Sequence, residues 1–235
     1  MKPILFNTEM VKAIQEGRKT VTRRLVKPQP VKDGRLWRLD GAAWTDNLDS
    51  VIPVPCHGLY NKAPFHPGDI LYVRETWGYN RDMWLFKANY REDEWPLFRW
   101  HPSIHMPKKI ARLFLRVTDV RLERLQYMDG EQAYMEGAIA EVPPILEAFE
   151  NRDKGIFPKN FEKFSESKKE DWYRGTATAT YIARCELADR LLKAFKKIWN
   201  KTIKRVEIDE YGWDANPWVW VIKFEKISKE EATKC

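Results

Sequence analysis

The sequence predicts an α+β fold: a small closed β structure with helices at its flanks and a helical insertion late in the chain. Three observations carry this. Residues 70–77 (ILYVRETW) and 111–122 (ARLFLRVTDVRL) read as strands, the second long, mostly alternating and suited to the bent strand of a small barrel. Residues 217–225 (PWVWVIKFE) are apolar almost throughout, as a strand buried on both faces must be, and should close the sheet. Few helix-period segments separate the strands, so the chain pairs them antiparallel rather than through βαβ crossovers.

The elements follow in order. Residues 2–6 form a short apolar run, ended by Asn7-Thr8, either of which can cap the next helix. Met10, Val11, Ala13 and Ile14 give that helix an apolar face, and Gly17 stands where a terminating glycine belongs. A tight turn then delivers residues 18–24. Val21, Leu25 and Val26 favour extended backbone, which Pro28 and Pro30 stop. Residues 27–67 read as a long loop with a small hairpin around Asp40-Gly41. Pro67-Gly68-Asp69 is a turn into the strand at 70–77, and residues 84–90 look like that strand's partner. Residues 128–137 form a helix capped by Asp129 and ended by Gly137. Residues 151–180 are polar and read as irregular. Residues 181–199, with Ile182, Leu187, Leu191, Ala194, Phe195 and Ile198, make an amphipathic helix with a basic far side. The charged tail after Ile227 is expected to fray.

The chain has 235 residues, enough for one domain, read here as 1–235 with 140–200 as a helical insertion. No run of about 18 apolar residues is present, so no membrane span is expected. The N-terminus has no signal-type apolar region, so the default location is cytoplasmic. Three cysteines, Cys56, Cys185 and Cys235, without a C-x-x-C pair argue against a disulfide framework and a zinc ribbon. Cys56-His57 is the only adjacent pair of soft ligands. His101 and His105 are separated by Pro102, which opposes a helical ligand pair. No metal and no cofactor are expected. The formal charge is +7, and residues 1–40 hold ten Lys and Arg against four Asp and Glu, so most of the excess is N-terminal. Such a patch attracts an anionic partner, nucleic acid being the commonest, or is simply a solvated basic face.

Three motifs occur in a fixed order: Gly17-Arg18-Lys19-Thr20-Val21-Thr22-Arg23-Arg24 after the first helix, Pro67-Gly68-Asp69-Ile70-Leu71-Tyr72-Val73-Arg74-Glu75-Thr76-Trp77, and Asn216-Pro217-Trp218-Val219-Trp220-Val221-Ile222-Lys223-Phe224. In these the chain resembles the ASCH domain family of PUA-like β-barrels, in particular its phage and prophage members labelled morphogenesis-related. The resemblance covers residues 2–137 and 206–227. It implies a PUA-like barrel and, as partner, RNA or a modified nucleoside. One branch of the family removes acetyl from N(4)-acetylcytidine with a Lys, a Thr and a Glu. By that likeness the catalytic positions fall on Lys19, Thr22 and Glu136, the last matched through the Ala133-to-Glu136 spacing. Thr22 would attack the acetyl carbonyl, Lys19 would take its proton, and Glu136 would protonate the leaving group.

Each position also has a structural reading. Lys19 and Thr22 are three apart, so on a regular strand they face opposite sides, and only a bulge or turn brings both into one pocket. Glu136 could be an ordinary helix-end carboxylate. Arg18, Arg23 and Arg24 would lower the Lys19 pKa or bind an anion. Glu75 is expected to pair with Arg74, Arg23 or Arg24 and alternatively to touch substrate. Trp77, Trp218 and Trp220 suit a core, with Trp77 and Trp218 alternatively in contact with a ligand, whereas Trp37, Trp44, Trp84, Trp95 and Trp100 lie in or near loops where a ring could stack on a base. Asn216 and Trp218 are expected near the pocket. Two function classes stand: a hydrolase of a modified nucleoside or other small amide, and a binding module for RNA or nucleotides without that catalysis or with nuclease activity. A phage structural accessory is a third and rests on no residue.

Overall fold

A long two-faced strand organises the molecule. The structure, a computed structural model, describes residues 1–45, 51–53, 58–91, 99–143, 146, 161–163 and 165–234. Its main sheet joins β1 (Lys2–Leu5), β7 (Ile70–Arg74), β10 (Phe114–Arg124), β11 (Trp218–Ile227) and β2 (Val21–Leu25) in that order, with β6 (Val51–Pro53) also on β10. Among the described residues only β1 and β7 run parallel. β7 and β6 lie end to end on one side of β10, while β11 covers its other side from Phe114↔Ile227 to Arg124↔Trp218. A bulge between Val117 and Asp119 bends β10, as its length leads one to expect.

The sequence expectation of an α+β chain therefore holds at the level of class. The last strand does not close the sheet, however: β11 is central, and β1 and β2 are the ends of the sheet path, with no ladder between them among the described residues. They approach through α1 (Thr8–Gln15), which connects them, and through Arg24, whose Nη2 donates to the Leu5 carbonyl oxygen at 2.9 Å.

The central place of β11 explains its composition. One face of the sheet supplies Leu71, Val73, Leu115, Val117, Val120, Leu122, Trp218, Trp220 and Ile222 to a core closed by α1. The opposite face presents Val21, Val219 and Val221 to α2 (Gly130–Met135) and α3 (Glu166–Thr202), from which Ala133, Leu191, Phe195 and Trp199 fill a second core. A strand buried on both sides cannot alternate polar with apolar.

Several local readings need correction. The loop proposed at 27–67 contains a three-stranded sheet of β3 (Val31–Asp33), β4 (Leu36–Leu39) and β5 (Ala42–Thr45), whose tight β4–β5 turn does fall at Asp40-Gly41. Trp44 is buried and meets Trp218 edge-on at 5.6 Å, and Trp37 meets it at 5.5 Å, so both pack inward rather than offering faces to a base. The strand read as 70–77 ends at Arg74. Trp77 instead begins β8 (Trp77–Asn80), which is the true partner of β9 (Met83–Phe86). The segment read as irregular up to Thr180 is helical from Glu166, with Ser165 as its cap. The C-terminal tail holds a helix, Lys229–Thr233, closed by a reciprocal Ser228 and Glu231 cap and anchored by buried Ala232. Cys56, His57, Trp95 and Cys235 lie outside the described residues, as do most of residues 144–164.

Candidate functional site

The segment that follows α1 is tied by its backbone to two helix ends. Asn7 caps α1 through Met10, and Gly17, at φ +79°, turns the chain out of it. The Lys19 amide then donates to the Ala13 carbonyl at 3.0 Å, and the Thr20 amide to that of Met135 at the end of α2. Asp129 caps α2 as expected, and Gly137 terminates it at φ +95°. A Cβ on Gly137 would stand 3.1 Å from that of Ala13, so glycine serves both the left-handed turn and the close approach of the two helices. These contacts carry Lys19 to the C-terminal cap residue of α2, Glu136.

Lys19 is enclosed, with no exposed side-chain surface. Its Nζ donates to the Val21 carbonyl at 2.7 Å, the Glu136 carbonyl at 2.8 Å and Glu136 Oε2 at 2.7 Å. Three acceptors match the three N–H bonds of an ammonium, and a neutral amine would leave one of them without a donor. Burial pushes the Lys19 pKa down, Glu136 opposes that, and Arg24 and Arg23 add to it. The carboxylate is shared: Glu136 Oε1 accepts from Arg23 Nη1 at 3.2 Å. Arg23 Nη2 continues to Glu123 Oε1 at 2.6 Å and to Gln132 Oε1. Glu123 Oε2 in turn accepts from Arg121 at 3.0 Å, which also holds Asp119. Alternating charges thus run from the buried Lys19 out to the partly exposed end at Arg121 and Asp119.

The sequence singled out Lys19, Glu136 and Arg23 from this chain of charges, and they meet. Glu123, Gln132 and Arg121 escaped it. Glu123 sits opposite Val219 on the face turned to the helices, and a carboxylate in an otherwise buried run was the available signal.

Thr22 is placed differently. It pairs with Ile222 in the β2–β11 ladder and so shares the face of Ile222, whereas Arg23 pairs with Val221 on the face toward α2 and α3. Thr22 is buried, and no hydrogen bond among the described residues joins it to Lys19 or Glu136. Within β2 the alternation is regular from Val21 to Leu25, whereas Lys19 precedes the strand and reaches Glu136 from the turn after Gly17.

The other expected site residues are dispersed. Arg18 is held by Glu16 and reaches the Gly137 carbonyl at 3.4 Å. Arg24 lies over the Phe6 ring at 5.4 Å while bonding Leu5. Lys19 and Arg23 are sealed in, whereas Lys27, Lys32, Arg35 and Arg38 of the same N-terminal stretch are exposed. Glu75 pairs with Arg112, not with Arg74, Arg23 or Arg24: the two bonds are 2.8 and 2.9 Å, and the guanidinium rests on Phe86 at 4.1 Å. Trp77 stacks on His101 at 4.6 Å in a separate aromatic group with Trp84. Asn216, at φ +47°, accepts from the Gln126 amide and secures the start of β11. Trp218 lies at that same end, about 17 Å along the strand from Lys223, which faces Val21, so the pair is remote from Lys19.

A groove opens where Glu136 and Gly137 meet α1 and α3. Its volume is about 770 Å³, within the range of small-molecule sites, and Asn7, Met10, Ile139 and Ile198 contribute to its walls. Lys19 lies behind Glu136 and does not line the groove. A second, smaller cavity of about 470 Å³ reaches Lys19 from the other side, between Thr20, Thr118 and Lys223. Among the described residues no group of three metal-ligating side chains gathers, and no helix is long and apolar enough to cross a membrane. No protein-family model, curated protein or solved structure matches the chain.

Proposed function

We propose that the chain is an ASCH-type, PUA-like module that binds RNA or a modified nucleoside, with the groove beside Glu136 as its cleft. In this reading the main sheet is the PUA-like barrel, its gap between β1 and β2 spanned by α1 and the Arg24 bond to Leu5. One observation carries the reading: Glu136, one of the three positions the family likeness singles out, is held by Lys19 and Arg23 and at the same time lines a groove of nucleotide size. With its carboxylate buried between two cations, Glu136 fixes the position of the groove wall, and the exposed Ile139 nearby offers an apolar surface to a base. Titration of labelled short RNA and of N(4)-acetylcytidine tests this. Ile139→Glu, a change at an exposed position in the groove, should abolish binding of whichever ligand the wild type takes. Absence of wild-type binding to both ligands refutes the module.

A second reading, hydrolysis of an amide such as the acetyl group of N(4)-acetylcytidine, is favoured by the 2.7 Å contact between Lys19 and Glu136. It ranks below binding because Thr22 shares the face of Ile222 and bonds neither partner. Acetate release that Lys19→Ala and Thr22→Ala each abolish, with RNA binding retained, would reverse that order.

A further inference from the structure

Of the cations that line the groove, three stand in a row. Lys193, Lys197 and Lys201 recur every fourth residue on α3 and are all exposed. At 1.5 Å rise per residue they are about 6 Å apart and span about 12 Å along the helix. Their neighbours are engaged: Lys196 holds Asp214 at 2.8 Å, and Arg190 reaches the Glu141 carbonyl and Glu186. The three lysines pair with no carboxylate among the described residues. Two acidic residues also line the groove apart from Glu136, Glu9 with Lys12 at 3.7 Å and Glu141. Like charges placed at i and i+4 repel and destabilise a helix slightly, so an uncompensated row of this kind is kept against a local cost.

The wall across from α3 mixes the apolar Met10, Ile139 and Ala140 with Asn7, Glu9, Glu136 and Glu141. Ile139 is 66% exposed there, on the same wall as Met10, while Ile198 lies on α3 itself next to Lys197. A cationic row facing an exposed apolar side chain matches a strand whose phosphates lie on one side and whose unpaired bases lie on the other. A duplex keeps its base faces stacked inside and offers no such wall-facing surface.

We propose that Lys193, Lys197 and Lys201 form a phosphate track along α3 that seats the backbone of a single-stranded polynucleotide, its bases turned to Met10 and Ile139. The inference rests on the reading of the groove as an RNA or nucleoside site and deepens it by naming a single strand as ligand and α3 as the seat of its backbone. The backbone chemistry is common to RNA and DNA, so the test uses ten-nucleotide single strands of both, with a duplex, N(4)-acetylcytidine and phosphatidylserine vesicles alongside.

Wild type is compared with the triple variant Lys193→Gln, Lys197→Gln and Lys201→Gln across salt concentrations. Glutamine is a good helix former, so the positions should stay helical, which circular dichroism checks. Each phosphate contact on a single strand adds about 0.7 to the slope of log affinity against log salt, so the triple variant should lose about 2 from that slope. From 50 to 200 mM salt the wild type should then lose about 20-fold more affinity than the variant. Lys229→Gln, on the C-terminal helix, should leave the slope unchanged.

An unchanged slope in the triple variant overturns the track, as does tighter binding of duplex than of single strand. Lysine-dependent binding to vesicles without binding to strands also overturns it, in favour of a membrane surface. If the nucleoside or short RNA binds in an Ile139-sensitive way while the slope is unmoved, only the track fails. If wild type binds neither strands nor nucleoside, the functional reading fails with it.

Discussion

Breaking the Lys19–Glu136 pair from either side should be costly, and breaking it from both sides less costly than the two together. Lys19→Met leaves Glu136 buried but still bound to Arg23 at 3.2 Å, while the carbonyls of Val21 and Glu136 lose their donor. Removing one member of a buried pair costs about 3–5 kcal/mol, and the remaining arginine puts this variant near about 3. Glu136→Leu strips the only carboxylate from Lys19, whose side chain is fully enclosed, and should cost about 5 kcal/mol. The double variant removes both charges, and Arg23 keeps Glu123 at 2.6 Å together with Gln132. Its cost should be about 5 kcal/mol rather than about 8, a coupling of about 3. Urea unfolding followed by tryptophan fluorescence reads all four proteins, with stabilities compared at equal m-value. Single variants within about 1 kcal/mol of wild type, or a double variant additive to within about 0.5, would refute a buried and mutually dependent pair.

Two further outcomes follow from the same geometry. Burial lowers the Lys19 pKa from its ordinary 10.5, with Arg24 and Arg23 acting in the same direction and Glu136 against it. Between the lowered folded value and 10.5 the unfolded chain binds more protons than the folded one, so the stability of wild type relative to Lys19→Met should rise as pH is raised toward 10.5. A difference that is flat or falls across that window contradicts the direction of the shift. In Gly130→Ala, the new Cβ would stand 2.4 Å from the Cα of Ala188 and 2.5 Å from its Cβ, so α2 must move off α3. Overpacking of this kind costs about 1–3 kcal/mol and should lower the thermal midpoint, whereas an unchanged midpoint would mean that the helices are not in contact there.

Local encoding and tertiary placement divide along clear lines. Asp129 and Gly137 bound α2, Asn7 starts α1, and Asp40-Gly41 turns β4 into β5, because caps and turns depend on backbone groups within a few residues. The unbroken apolar run of β11 announced burial on both faces, and only the pairing order revealed that the strand is central and does not close the sheet. The first half of α3 escaped periodicity because residues 166–179 are exposed almost throughout and carry no apolar stripe. Its helix is set by the Ser165 cap and by pairs such as Glu166 with Lys169. The break of β7 before Glu75 was equally hidden, since the partner that draws that carboxylate aside, Arg112, is 37 residues away.

The sequence by itself determined which residues can form strands and helices, where several of them start and stop, and that residues 17–24 concentrate cations beside a family-like motif. The tertiary structure decided what those cations do. Lys19 and Glu136 lie 117 residues apart, and their contact exists only because α1 and α2 end against one another at Ala13 and Gly137. Once they do, water is excluded and opposite charges must pair, which turns Lys19 and Arg23 inward, while the row on α3 stays exposed. Local spacing records the preferences of neighbours in the chain. Desolvation and charge pairing between distant segments are set by packing, which no short-range pattern records.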